Sequence, residues 1–187
     1  MQKPVLIVID MLNDFLEKWE RSDRDRLIDA INELVQIMRR ASRPVIWVRQ
    51  EFESDLSDAF LEMKVKSIHI AIKGTSGSQI DSQLKVSPSD IVMVKKRYSA
   101  FFGTDLDEKL QHLRPDGLIF AGINTHACIR TTAIDAYQRD WPFILASECI
   151  DSYDREHHHV TLKYMKDKLA TLMTNREIDA MLSAHRD

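Results

Sequence analysis

Three residues of this 187-residue chain carry side chains suited to covalent chemistry where apolar runs end: Asp10 after residues 5–9, Lys95 after 91–94, and Cys128 soon after 118–121. A carboxylate can take a proton, an ammonium can stabilise anions, and a thiolate can attack a carbonyl carbon. Cys128 follows Gly122 and a short polar turn, and opens a helical stretch through Thr131, Thr132, Ala133 and Ala136. At a helix start, free backbone N–H groups and the positive end of the helix dipole favour a thiolate and lower the thiol pKa. Each residue also has a structural reading. Cys128 can be a small buried apolar group, Asp10 a cap on the following turn, and Lys95 a solvated strand end.

The elements that must position these groups are short, continuous apolar runs at 5–9, 45–48, 91–94, 118–121 and 143–146, with a weaker one at 170–173. Such runs fit strands covered on both faces, as a parallel sheet requires. Between the first two, Leu27, Ile31, Leu34, Ile37 and Met38 share one helical face, with Ser22 or Asp23 as the expected N-cap. Further helices are expected from Thr104, with Asp105 and Asp107 in the first turn, and over 156–169 and 177–182. Strands alternating with helices imply right-handed crossovers and a three-layer α/β domain. In a parallel sheet every strand delivers its carboxyl end to the same edge, where ligands bind at a switch in strand order. Asp10, Lys95 and Cys128 are therefore scattered in sequence and gathered by topology.

Composition narrows the partners. A net charge of −3, with both signs spread along the chain, leaves no basic stripe and argues against nucleic acid or an anionic membrane. No apolar run approaches the roughly 20 residues of a spanning helix. Cys128 and Cys149 form no disulfide framework and suit a reducing compartment, so a cytoplasmic location is expected. The length fits one domain over 1–187 that buries about 70 % of the surface its unfolded chain would expose.

One segment breaks the alternation. Residues 52–73 form a long excursion from the end of the second strand and lead into Gly74, Thr75, Ser76, Gly77 and Ser78. Loops of this kind cover sites, and the 51–79 region is expected to form a specificity wall. The glycine and serine cluster suits a plain turn or a weak anion cradle, and matches no established phosphate loop. Near the strand ends, Phe15, Tyr98 and Phe102 are candidates for an apolar pocket wall, and Arg49 and Gln50 for reading a polar end of a substrate. Trp47 lies mid-strand and is expected in the core. Consecutive helical residues point about 100° apart, so His157, His158 and His159 cannot converge on a metal, and at most one is expected to be buried. His126 is open to a base role or a polar pocket wall.

The residues Ile7-Val8-Ile9-Asp10-Met11-Leu12-Asn13-Asp14-Phe15 resemble the opening motif of the isochorismatase-like cysteine hydrolases, a strand followed by D-x-x-N-D-F. Lys95-Lys96-Arg97-Tyr98-Ser99-Ala100-Phe101 resembles the second motif, K-x-R-x-S/G-A-F, and Gly122-Ile123-Asn124-Thr125-His126-Ala127-Cys128 the third. Three ordered motifs across most of the chain make the resemblance specific.

The resemblance implies a six-stranded, mostly parallel sheet in the order 3-2-1-4-5-6 within an α/β/α sandwich. It implies Cys128 as nucleophile, Asp10 as general base and Lys95 as third member of a triad, with adjacent Lys96 the competing assignment. It also implies a cis peptide between Ile123 and Asn124, and an oxyanion hole made by the N–H groups of Asn124 and Cys128. A homo-oligomer is expected, as is a small-molecule amide substrate, with neither cofactor nor metal. Nicotinamidases of this family carry D-x-H and a second histidine after strand two. Here that stretch reads Arg49-Gln50-Glu51-Phe52-Glu53-Ser54-Asp55, and His69 is the excursion's single histidine. Isochorismatases proper generally lack the cysteine, so Cys128 favours hydrolysis of a C–N bond through a thioester. A silent member that binds a small molecule or responds to oxidation is the alternative, with a nicotinamidase the second.

Overall fold

The computed structural model describes residues 1–166 and 168–184. Its strands are β1 (Val5–Ile9), β2 (Val45–Gln50), β3 (Ile91–Lys95), β4 (Leu118–Ile123), β5 (Phe143–Asp151) and β6 (Thr171–Met173). They form one sheet in the order β3-β2-β1-β4-β5-β6 with every neighbouring pair parallel, the order and direction the resemblance implies. The helices are α1 (Asn13–Leu16), α2 (Arg21–Arg40), α3 (Leu61–Lys66), α4 (Leu106–Leu113), α5 (Arg130–Tyr137), α6 (Arg155–Lys166) and α7 (Asn175–Ser183).

The alternation of side chains along β1 divides the molecule into two cores. Leu6 and Val8 pack with Leu27, Ile31 and Leu34 of α2 and Ile178 of α7, whereas Val5, Ile7 and Ile9 pack with Leu106 of α4, Ala133 of α5 and Met165 of α6. Both faces of the sheet are covered, which is why its strands read as unbroken apolar runs. Burying an aliphatic side chain in such a layer contributes about 1.5 to 3 kcal/mol. A third cluster, with Leu12, Phe52, Leu56 and Met63, holds the excursion after β2 against the turn after β1.

Several helix starts differ from the sequence expectation: α4 begins at Leu106 with Asp105 as its N-cap, not at Thr104, and α7 begins at Asn175 behind a Thr174 capping box, not at 177. α2 begins at Arg21 after Glu20, with no side-chain cap, so Ser22 and Asp23 lie inside its first turn, where Asp23 faces the positive end of the dipole. Cys128 lies in a π-helical turn, Thr125–Ile129, that precedes α5, and not in the first turn of an α-helix. Trp47 is buried and its indole N–H donates to Asp90 Oδ2 at 2.9 Å, in keeping with a core role.

Candidate active site

The site forms where β1 and β4 run side by side in the middle of the sheet. Ile9 pairs with Val48 on one side and Gly122 on the other. Gly122 has φ +108°, and a Cβ built there would lie 2.0 Å from the carbonyl oxygen of Ile9. The absence of a side chain therefore permits the close approach of β4 to β1, which brings the turn bearing Cys128 beside Asp10. Asp10 itself takes a left-handed conformation, φ 58°, one that aspartate tolerates better than most residues, and its N–H donates to Val48 at 2.8 Å. The Ile123–Asn124 peptide bond is cis.

Lys95 reaches the pair from β3. Two strand spacings, roughly 10 Å, separate β3 from β1, and a long lysine side chain is suited to that span. Lys95 Nζ lies 2.7 Å from Asp10 Oδ2, and donates to the carbonyl of Arg97 at 3.0 Å and to Cys128 Sγ at 3.4 Å. Two of these contacts are hydrogen bonds and the third is an ion pair. All three side chains are nearly or fully shielded from solvent. Adjacent Lys96 points elsewhere, to Asp58 Oδ2 at 2.7 Å and to the carbonyl of Glu51.

Burial sets the protonation of the resting site. It pushes the Asp10 carboxyl above its ordinary value, against the opposing pull of the Lys95 charge. Burial also works against the Lys95 ammonium, but the charges of Asp10 and Cys128 outweigh it and hold the pKa above the ordinary 10.5. The Cys128 thiol is pushed up, by burial first and by Asp10 second, with Lys95 offsetting only part. This reverses the lowered thiol pKa expected from a helix start, because desolvation outweighs the local dipole. The resting thiol keeps its proton, and any attack by sulfur needs a base. A carboxylate with a raised pKa, as Asp10 has, accepts a proton more readily than a solvated aspartate.

The thiol opens on a cavity of about 490 Å³. Among the candidates from sequence, Phe15, Gln50, Tyr98 and Asn124 line it together with Asp10 and Cys128. Arg49 and Phe102 do not. The Arg49 guanidinium is taken by Glu51 at 2.7 Å and the Ser78 carbonyl at 3.1 Å, and Phe102, 64 % exposed, borders a separate shallow pocket with Ser99 and Asp135. His126 is a wall residue, its Nδ1 in a 2.9 Å hydrogen bond with Ser152 Oγ and its ring edge-on to Tyr153 at 5.3 Å. Its imidazole is held below the usual histidine range by burial, and is therefore neutral near pH 7. Of the three consecutive histidines one turns inward: His158 is part-buried and bonds Thr125 Oγ1 at 3.0 Å, while His157 and His159 are exposed.

Several wall residues escaped the sequence reading. Phe60 and Met63 belong to the excursion as foreseen, but only its position was legible. Phe60 stacks on Tyr98 with ring centroids 4.8 Å apart, and the Arg97 guanidinium lies over it at 5.5 Å. Tyr153 was missed because Ser147 and Glu148 interrupt the apolar run of β5, which continues to Asp151 and so delivers Tyr153 to the same edge as the other groups. The remaining polar residues of the first motif are clamps for this wall. Asn13 Nδ2 donates to the Ser76 carbonyl at 2.7 Å, and Asp14 Oδ2 accepts from the Ala71 N–H at 2.7 Å. The segment Gly74 to Ser78 is a turn with a short 3-10 stretch at Ser76–Ser78, and Gly77 packs directly on the Asp14 carboxylate.

The family model described as the isochorismatase domain matches residues 4–177. A probable inactive nicotinamidase from Arabidopsis thaliana is 33 % identical over 145 residues, covering 73 % of this chain and 74 % of that protein. The crystal structure of an isochorismatase family protein from Desulfovibrio vulgaris matches with TM-score 0.89 and 25 % identity, over 98 % of this chain and 100 % of that one. The N-carbamoylsarcosine amidase of Thermoplasma acidophilum matches with TM-score 0.80 and 25 % identity, over 93 % of this chain and 97 % of that one.

Proposed function

The chain belongs to the isochorismatase-like hydrolase family, and from that premise we propose that it cleaves a C–N bond of a small amide or carbamoyl compound by attack of Cys128 on the carbonyl carbon. The observation that carries this reading is the placement of the buried Lys95 Nζ between Asp10 Oδ2, at 2.7 Å, and Cys128 Sγ, at 3.4 Å, with Asp10 and Cys128 both lining an open cavity.

The steps follow from the protonation of the resting site. Asp10 takes the proton of the Cys128 thiol as sulfur bonds to the carbonyl carbon and the carbonyl electron pair moves to oxygen. The tetrahedral intermediate collapses, the C–N bond breaks, and the departing nitrogen receives the proton from Asp10. A thioester remains. Water then gives a proton to Asp10 and adds to the thioester, and the sulfur leaves and regains its proton as the acid is released. Lys95 stays charged throughout and offsets the negative charge that moves between Asp10 and Cys128. The N–H groups of Asn124 and Cys128 are the proposed oxyanion donors, each contributing about 3 to 4 kcal/mol in comparable sites.

A second reading is a catalytically silent member of the family. It draws on the raised thiol pKa and on the Arabidopsis relative, which is described as a probable inactive nicotinamidase. One assay separates the two. A panel of primary carboxamides and carbamoyl compounds is tested for amine or ammonia release by the wild type and by Cys128→Ala. Release by the wild type alone is the result expected of the hydrolase. Equal release by Cys128→Ala overturns the covalent route, and no release from any compound by wild-type protein favours the silent reading.

A further inference from the structure

The catalytic cavity has a larger neighbour. A second cavity, of about 660 Å³, shares Phe15, Ile70, Asn124 and Tyr153 with it. Its far wall contains Trp19 and Ile68, with Glu17 and Lys18 exposed at its edge. The wall the two chambers share is Phe15, Ile70, Tyr153 and the polar Asn124, and the larger chamber is the one without the thiol. A substrate that filled the catalytic chamber alone would leave that adjoining apolar surface wet.

Charge narrows the substrate further. No lysine or arginine lines the catalytic chamber among the described residues. Of the nearest cations, Lys95 is held by its three contacts and Lys96 by Asp58, while Arg97 donates through Nη1 to the carbonyls of Asp58 and Lys96 and lies over Phe60. An anionic group held beside the scissile carbonyl would lose hydration without gaining a counter-ion, which is strongly unfavourable.

We propose that the substrate is an uncharged amide with an elongated apolar or aromatic tail, its carbonyl carbon against Cys128 and its tail crossing Phe15 and Ile70 to lie on Trp19. This rests on the reading of Cys128 as the nucleophile. It adds a second subsite and excludes amides that carry a carboxylate next to the scissile bond.

The test uses calorimetry on Cys128→Ala, which reads binding without turnover. With straight-chain primary carboxamides from butanamide to octanamide, affinity is expected to rise about two- to fourfold per methylene as the tail enters the second chamber. N-carbamoylglycine is expected to bind at least tenfold more weakly than propylurea, its uncharged counterpart in size. In Cys128→Ala carrying Trp19→Ala as well, the ratio of octanamide to butanamide affinity is expected to fall at least fivefold, and Ile68→Ser gives an independent second variant of the same wall. Affinity that is flat with chain length, tighter binding of the anion, or a ratio unchanged in both variants overturns the proposal. Turnover by wild type keeps the two readings apart. Long amides bound by Cys128→Ala but not hydrolysed by wild type leave the subsite standing and remove the nucleophile, whereas hydrolysis with kcat/KM independent of length does the reverse.

Discussion

Lys95 and Asp10 form an ion pair at 2.7 Å in which the lysine is 0 % and the aspartate 1 % exposed. Removing one partner leaves an uncompensated charge in the interior, a change that costs about 3 to 5 kcal/mol. Lys95→Met and Asp10→Asn are each expected to lower stability by an amount of that order in chemical denaturation. The double variant is expected to lie closer to wild type than the sum of the singles, because neither charge is left alone. Turnover is expected to be lost in Asp10→Asn and the double variant and strongly reduced in Lys95→Met. Additive destabilisation would show that the pair is not coupled in this way.

In the proposed mechanism, protonation of Asp10 sets the acid limb of the pH profile. Its carboxyl is raised above 3.8, by burial first, with Lys95 holding it down in part. The base form is present only above that raised pKa, so kcat/KM is expected to climb with pH through it, above the range of an ordinary aspartate. Residual activity in Lys95→Met is expected to show the limb moved to higher pH, since the cation that lowered it is gone. An unmoved limb would assign that titration to another group.

The same burial governs the thiols. Cys128 and Cys149 are both pushed up, chiefly by desolvation. Alkylation of the native protein by iodoacetamide at neutral pH, followed by mass spectrometry, is expected to be slower at both than at a free thiol, and to match a free thiol after unfolding. Rapid selective labelling of Cys128 would contradict the protonated resting thiol.

Asp151 titrates in the opposite sense. Burial works to raise its pKa, but the Ser152 N–H at 2.8 Å, Arg155 at 2.5 Å and Arg26 at 2.6 Å outweigh it and hold the carboxyl below 3.8. Its contribution to stability is therefore complete above the unfolded value and is lost as pH falls through the lower folded one. Asp151→Asn is expected to cost about 1.5 to 3 kcal/mol at neutral pH and to flatten the loss of stability below pH 3.8. Unaltered acid sensitivity in the variant would place the effect elsewhere.

Gly122 is a structural requirement of the site. With a Cβ 2.0 Å from the Ile9 carbonyl oxygen and φ +108°, Gly122→Ala must push β4 from β1. A loss of about 3 to 5 kcal/mol is expected, a fall in Tm of roughly 10 °C or more. Near-native melting would mean that the strands separate at little cost.

Much of this arrangement is legible in the sequence because it follows from repeated local rules. The strands announce themselves through apolar runs imposed by coverage on both faces, and Asp10, Lys95 and Cys128 stand at the ends of such runs. Legibility fails where a property depends on contacts across the fold. The thiol pKa follows the depth of burial of Cys128, which no local pattern encodes. Arg49 reads as a substrate contact until Glu51, two residues on, is seen to hold it. Tyr153 is hidden because Ser147 and Glu148 interrupt the run of β5. The walls from Phe60 and Ile70 depend on how the excursion after β2 is clamped by Asn13 and Asp14, through hydrogen bonds that span 63 and 57 residues of sequence.

The central claim is that Cys128 forms a bond to the substrate carbonyl, and intact-mass spectrometry of protein acid-quenched during turnover tests it most directly. With an amide that the wild type hydrolyses, the expected result is a mass increase equal to the acyl group, mapped to the peptide that contains Cys128 and absent from Cys128→Ala. An acyl group on a different residue, or undiminished turnover in Cys128→Ala, would contradict it.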